Sequence, residues 1–412
     1  MSMTYFILTF GCQMNQNDSE KLAGLLDSLG YEETTAMDSA DLILLNTCSV
    51  RNKAETRFYG NLGRLKKLKE VRKEKGLSRL LIGVCGCIPQ HAKEEIFKKA
   101  RYVDFIFGVN SIEQLPLILE RVLAGEKRVI EIAANAAGKR EPDKTSKAPV
   151  IASEAKQSRL VLPSERLPRR PDAGLLAMTE GNPPIKRTSL NQAFVSIMYG
   201  CDNYCSYCIV PFTRGQEISR PKEEIFAEIK AIDLSRFNEI VLLGQNVNSY
   251  GKGLYTDYDF ADLLKDVATM PGLPKIGFMT SHPKDMSDKL IRTIADNPKI
   301  SRELHIPIQA GDDEVLKRMN RKYTVQDYSV LLDKIRRAIP EARISTDVIA
   351  GFPGETDEQF ENTLRTLRKL NFCRIITTAY SPRPLTAAAD FPDQVPVKVK
   401  AERLQRLMQV AG

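Results

Sequence analysis

Cys201, Cys205 and Cys208 occur in the spacing Cys-x3-Cys-x2-Cys directly after an apolar run that ends at Met198. Three thiols on so short a loop can converge on a common centre, and the loop directly follows an expected strand. Three thiolates can hold three irons of a cubane cluster and leave the fourth iron without a protein ligand; they also suit zinc, which then needs a fourth ligand from elsewhere. The only histidines are His91, His282 and His305, none of them near the triplet in sequence. The spacing therefore favours the cluster, with zinc as the alternative.

Strand–helix alternation surrounds the triplet. In the first part of the 412-residue chain, Tyr5–Leu8, Leu42–Leu45, Leu80–Val84 and Val103–Phe107 read as buried strands. Leu22, Leu25, Leu26 and Leu29 recur at helical spacing before Gly30, and Ile112–Leu123 reads as another helix. Between them, Phe58, Leu62 and Leu65 form one face of a long basic helix that leaves Lys66, Lys67, Lys69, Arg72 and Lys73 to solvent. The alternation resumes with candidate strands Ala193–Met198, Glu239–Leu243, Lys275–Phe278, Glu303–Ile306, Arg343–Ile349 and Cys373–Thr378. Helices are expected at Lys222–Asp233, Phe260–Thr269, Asp285–Asp296, Val325–Ala338, Asp357–Leu370 and Val397–Gln409. The expected class is α/β. It comprises an N-terminal parallel α/β sheet domain over 1–137, a linker or insertion over 138–189, a full or partial (β/α) barrel over 190–390 and a helical tail over 391–412. An open doubly wound sheet is the alternative for the second unit; in either case ligands gather at the C-terminal ends of strands.

Composition narrows the setting. Eight cysteines are too sparse for a disulfide scaffold in a chain this long and read better as metal ligands, catalytic thiols or core residues. No apolar run approaches the roughly 20 residues of a membrane span. Met1–Phe10 reads as a strand and lacks the pattern of a secretory signal, so a cytoplasmic location is expected. The formal charge of +8 is compatible with a polyanionic partner. Residues 138–189 are proline-rich and break the alternation, and Val150–Ser158 resembles peptides encoded by translated bacterial genomic repeats, a passenger with no catalytic role.

The run Gly200-Cys201-Asp202-Asn203-Tyr204-Cys205-Ser206-Tyr207-Cys208 resembles the radical S-adenosylmethionine (SAM) signature of the methylthiotransferase family. Thr9-Phe10-Gly11-Cys12-Gln13-Met14-Asn15, Asn46-Thr47-Cys48-Ser49-Val50-Arg51 and Gly86-Cys87-Ile88-Pro89-Gln90 resemble three further cysteine motifs of the same family. The resemblance covers most of residues 3–137 and 190–409. It implies two [4Fe–4S] clusters: a radical SAM cluster on Cys201, Cys205 and Cys208, and an auxiliary cluster on Cys12, Cys48 and Cys87 that carries or activates the inserted sulfur. It implies two roles for SAM, one molecule methylating that sulfur and another supplying a 5′-deoxyadenosyl radical. Cys85 matches no family motif and reads as a structural thiol, and Cys373 reads as a core residue.

Other matches sit after expected strands. Gly244-Gln245-Asn246-Val247-Asn248, Thr280-Ser281-His282-Pro283, His305-Ile306-Pro307-Ile308-Gln309 and Gly351-Phe352-Pro353-Gly354-Glu355-Thr356 resemble family loops. The resemblance places Gln245, Asn246, Ser281, Gln309 and Gly351 against SAM; His282 is expected in a structural or substrate contact. The motifs look most like those of members that methylthiolate carbon 2 of N(6)-isopentenyladenosine at tRNA position 37, which implies tRNA and an electron donor as partners. Methylthiotransferases of threonylcarbamoyladenosine in tRNA, or of a ribosomal-protein aspartate, are the alternatives within the family. A non-catalytic iron–sulfur RNA-binding protein is the alternative outside it. The sequence departs from the family at Leu385, where a glycine is usual, and its 412 residues contain no match to the C-terminal TRAM domain that family members normally carry.

Overall fold

The computed structural model describes residues 2–50, 52–133 and 184–411. The expectations for 138–183, including the Val150–Ser158 run, lie outside the described residues, as does Arg51.

The first unit is a six-stranded, wholly parallel sheet. Its strands are β1 (Thr4–Thr9), β2 (Glu32–Glu33), β3 (Leu42–Thr47), β4 (Leu81–Gly86), β5 (Phe105–Gly108) and β6 (Val129–Glu131), in the order β2-β1-β3-β4-β5-β6. β3 and β4 are buried along their whole length, as a sheet covered on both faces requires. One face packs under α1 (Gln13–Ser28), through Leu22, Leu25 and Leu26. The other packs under α2 (Asn52–Glu74), through Phe58, Leu62 and Leu65. Two basic residues expected in solvent on α2 are tied down instead. Arg72 is buried and bonds Asp41 and the Ala40 carbonyl, and Lys69 pairs with Asp104 at 2.5 Å. Both anchor the helix to the loops that lead into β3 and β5, a use that a count of charges along the helix does not reveal.

The short α3 (Cys87–Ala92) and α4 (Glu95–Lys99) follow β4, and α5 (Leu115–Leu123) joins α1 on its face of the sheet. α3 was not expected, because six residues are too few to show a period.

The second unit is a partial (β/α) barrel. β7 (Gln192–Ser196) leads into the short β8 (Met198–Tyr199), which pairs antiparallel with β9 (Ile218–Ser219) and closes the cysteine loop like a drawstring. α6 (Val210–Arg214) lies within that loop. β7, β10 (Glu239–Leu243) and β11 (Lys275–Met279) form one parallel sheet; β12 (Glu303–His305), β13 (Arg343–Ala350) and β14 (Arg374–Ala379) form another. A parallel bridge from Ile276 to Ile300 links the two, and among the described residues none joins β7 to β14. The outer face buries apolar side chains under α7 (Lys222–Lys230), α8 (Phe260–Thr269), α9 (Asp288–Asp296), α11 (Val325–Ala338) and α12 (Asp357–Leu370), while α10 (Asp313–Arg318) packs in a smaller cluster beside the cysteine loop. Cys373 is exposed rather than in the core: it precedes β14 at the open start of the strand.

An open barrel leaves edges that must be covered. α1 covers β7: Asn17 donates to the Phe194 carbonyl at 3.0 Å and accepts from Ser196 at 2.7 Å. Residues 184–189, expected as linker, are strapped to α1, with Lys186 N donating to Glu20 O and Thr188 N to the Glu20 carboxylate, both at 3.0 Å. Gly24 allows the strap in, since a Cβ there would meet the Pro184 carbonyl at 2.0 Å. On the far side α13 (Val397–Val410) packs on β14 and is locked by Arg403 to buried Glu355 at 2.8 Å. Leu385 adopts φ +69°, in the left-handed region that glycine enters freely, which accounts for the usual glycine.

Arg403→Met strands the Glu355 carboxylate in the interior, and a loss of about 3–5 kcal/mol is expected. Chemical denaturation should show it, with most of the loss recovered in Arg403→Met/Glu355→Gln.

Candidate active site

The sheet order β2-β1-β3-β4-β5 reverses direction between β1 and β3, and at such a switch point the loops leaving the two strands part and open a crevice. Cys12 follows β1, Cys48 follows β3 and Cys87 follows β4, so three neighbouring strands deliver three thiols to that crevice. Glycines let the loops close in. Gly11 has φ +127°, and a Cβ there would lie 2.4 Å from Cys48 Cβ; Gly86 has φ +96° and turns the chain so that Cys87 starts α3. Asn15 and Asn46 fix the spacing: Asn15 Nδ2 donates to Asn46 Oδ1 (3.2 Å) and the Thr47 carbonyl (3.1 Å), and Asn46 Nδ2 donates to Asn15 O (2.8 Å). Cys12 is held well below the ordinary thiol range, first by its hydrogen bond with Cys48, with Arg214 adding to the effect. Burial pushes the Cys87 thiol up. Cys85, one strand residue earlier than Gly86, is in the apolar cluster under α1 and α5.

The second triplet sits at the mouth of the barrel. Gly200 (φ +73°) permits the turn, Cys201 N donates to Gly215 O (3.2 Å) and Cys208 N to Cys205 O (2.9 Å). Asn203 donates to Cys201 Sγ (3.4 Å) and buried Arg321 to Cys205 Sγ (3.5 Å), leaving each of these sulfurs facing a donor. Burial raises the Cys201 thiol to about 11 and the Cys208 thiol to about 12, so ligation there has to displace protons.

Among the described residues no three Cys, His, Asp or Glu side chains gather around one point as they would for a single ion. A cubane makes a different demand, one iron per thiolate, and the all-sulfur donor set suits it. Each triplet offers three thiols and no fourth cysteine, the number that a cubane with one open iron requires.

The loops after β10 and β11 meet beside this triplet. Val247 N donates to Thr280 O at 3.1 Å, and Asn246 shares a cleft of about 500 Å³ with Asp202 and Asn203 of the cysteine loop. Gln245 Oε1, Asn246 Oδ1 and Asn248 Oδ1 are buried acceptors with no hydrogen-bond partner in the described protein, which suits a ligand rich in donors such as an ammonium group. Ser281 is buried on the next loop. Gln309 lies in the other half of the barrel, at φ +72°, bridged to Val348. Gly351 does not join them in the same way. Its N–H is spent on Glu355 (2.7 Å), and its Cα faces Lys400 of α13, so the turn and the helix contact account for the glycine. His282 is buried and its Nδ1 accepts from Lys284 N at 3.3 Å, a structural cap.

Residues 4–108 match the family described as uncharacterized protein family UPF0004, and residues 195–367 match the radical SAM superfamily. Over 409 residues the chain is 43% identical to the tRNA-2-methylthio-N(6)-dimethylallyladenosine synthase of Caldicellulosiruptor saccharolyticus, covering 99% of this chain and 77% of that protein. It is also 43% identical to the same synthase of Dictyoglomus thermophilum, covering 98% and 82%.

The chain belongs to the tRNA-2-methylthio-N(6)-dimethylallyladenosine synthase family.

A radical SAM methyltransferase of Kitasatospora setae, solved with cobalamin and a [4Fe–4S] cluster, shares the fold: TM-score 0.61 at 12% identity, covering 94% of this chain and 74% of that one. The cobalamin-dependent radical SAM enzyme OxsB matches with TM-score 0.56 at 13% identity, over 99% and 56%. Both matches extend across the sheet and the barrel together.

Linear sequence patterns missed Asp18, Arg214 and Arg321. Each is a charge on a helix or loop that looks solvated, and each is buried beside the cysteines. Ser49 is another: its hydroxyl lies 2.9 Å from His91 Nε2, next to Cys48. Arg214, six residues beyond Cys208, was a signal whose direction was not legible, and Arg321 lies too far along the chain from any cysteine motif to give one.

Gly11→Ala puts a Cβ into Cys48 and should part the first triplet without touching the second. Iron and sulfide after anaerobic reconstitution are expected to fall by about half, as one of two equal clusters is lost.

Proposed function

We propose that the chain is a radical SAM methylthiotransferase that places a methylthio group on carbon 2 of N(6)-isopentenyladenosine at position 37 of tRNA. The observation that carries this reading is the pair of three-cysteine sets at the C-terminal strand ends of two adjoining units. Cys201, Cys205 and Cys208 would hold the radical SAM [4Fe–4S] cluster, and Cys12, Cys48 and Cys87 the auxiliary one. When bound, these clusters and SAM supply the radical, the methyl group and the inserted sulfur. The chain's own residues do the rest. Gln245, Asn246, Ser281 and Gln309 would line the SAM-binding mouth, Gly351 turns the chain at the end of β13, and Arg321 donates to Cys205 Sγ. Cys48, Cys87, Cys201 and Cys205 are buried and Cys12 and Cys208 half-buried, which limits water at the reactive sulfur.

The formal charge of +8 favours a polyanion such as tRNA. Among the described residues no helix is long and apolar enough to cross a membrane. A small electron carrier and a cytoplasmic setting complete the proposal, since reduction of the radical cluster needs an external electron.

Mass spectrometry of tRNA nucleosides tests this. Expression in a strain lacking its own synthase should restore 2-methylthio-N(6)-isopentenyladenosine, and unchanged nucleosides would overturn the tRNA assignment. Cys205→Ala should abolish both the product and 5′-deoxyadenosine formation. Cys48→Ala should abolish the product while SAM cleavage persists.

A further inference from the structure

Each cysteine set has a buried arginine beside it, and one of them comes from the wrong loop. Arg321 accompanies Cys205 within the barrel. Arg214 ends α6, in the loop that carries Cys201, Cys205 and Cys208, yet its guanidinium lies with the other set. It pairs with Asp18 of α1 at 2.8 Å, the two side chains only 6% and 4% exposed. α1 is capped by Cys12, and α6 packs against α3, which begins at Cys87. The Arg214 charge, buried this deeply, is screened far less than one at the surface, so its field reaches what the neighbouring sulfurs hold.

We propose that Arg214 is the positioning residue through which the loop of the radical SAM triplet sets the reduction potential of the auxiliary cluster on Cys12, Cys48 and Cys87. This rests on the assignment of those cysteines made above. A cluster on three thiolates becomes one charge more negative when it accepts an electron. A buried cation stabilises the reduced form and raises the potential; a buried carboxylate does the reverse. Because α6 is part of the cysteine loop and is held against α3 and α1 by packing and by the Arg214–Asp18 pair, the loop that carries one set brings a cation to the other. The two sites are thereby coupled without sharing a ligand.

The test is an EPR-monitored redox titration with dithionite of full-length protein in which Cys201, Cys205 and Cys208 are replaced by alanine, so that the signal comes from the auxiliary cluster alone. Iron and sulfide are measured first. Arg214→Gln is expected to lower the midpoint potential, Asp18→Asn to raise it, Arg214→Lys to stay near the parent, and Arg214→Gln/Asp18→Asn to fall between the single variants. A purely structural contact predicts shifts of the same sign in both single variants, or none; either result overturns the proposal. Should Arg214→Gln lose its cluster, the sign in Asp18→Asn decides alone. A parent that binds no iron or sulfide overturns the cysteine assignment and this proposal together, an outcome distinct from a full cluster indifferent to Arg214.

Discussion

Helix α1 buries Asn15, Asn17, Asp18 and Glu20 in consecutive turns, a polar load that would unfold the structure if left unpaired. Every one of them is satisfied by a neighbour. Asn15 holds the loop before Cys48, Asn17 caps the open edge of β7, Asp18 meets Arg214, and Glu20 meets Arg187 at 3.3 Å, which reaches Glu228 at 2.6 Å. Arg220 closes the chain by pairing with Glu228 at 2.7 Å. Such a network contributes little net stability compared with an apolar interface, because desolvation offsets most of the attraction. It does make misalignment costly, since a shift of either unit leaves several charges buried and alone. The sheet and the barrel are held in one register by this constraint.

That register determines what the strand ends face. Parallel strands collect their C-terminal loops on one side. Here two parallel systems meet with those sides adjoining, so that Cys12 packs in the same apolar patch as Phe194, Val241 and Leu243 from the barrel interior. Arg383, from the segment after β14, reaches back to Glu55 at 2.8 Å and the Val50 carbonyl at 3.0 Å and closes the other flank over the Cys48 loop. The family's chemistry needs sulfur and radical within reach of one carbon, and proximity of this kind is what a fixed interface supplies.

Periodicity identified most long helices and every central strand to within a few residues, because burial on one face or two leaves a pattern in the apolar residues. It passed over α3, α4, α6 and α10, which are too short for a pattern. It placed Lys69 and Arg72 in solvent and Cys373 in the core, since neither a charge nor a thiol announces whether a neighbour distant in sequence will cover it. Residues 184–189 looked like linker because the side chains that receive them, those of Glu20 and Asp27, lie on a helix far back in the chain.

The sequence by itself determined which atoms can do chemistry here. Six thiols in motifs, glycines beside them, and amides at strand ends are local choices, legible because each loop needs those residue types whatever surrounds it. The resemblance grouped the thiols; three dimensions show how the chain can do it, with a strand order that reverses between β1 and β3 and sets the loops of Cys12, Cys48 and Cys87 side by side. Tertiary structure also decided where the charges go. Arg214 ends α6 and Arg321 lies between α10 and α11, and only the packing of α6 against α3 sends one of these two arginines to the neighbouring set. Electrostatic influence depends on distance and burial, and neither is written in a linear chain.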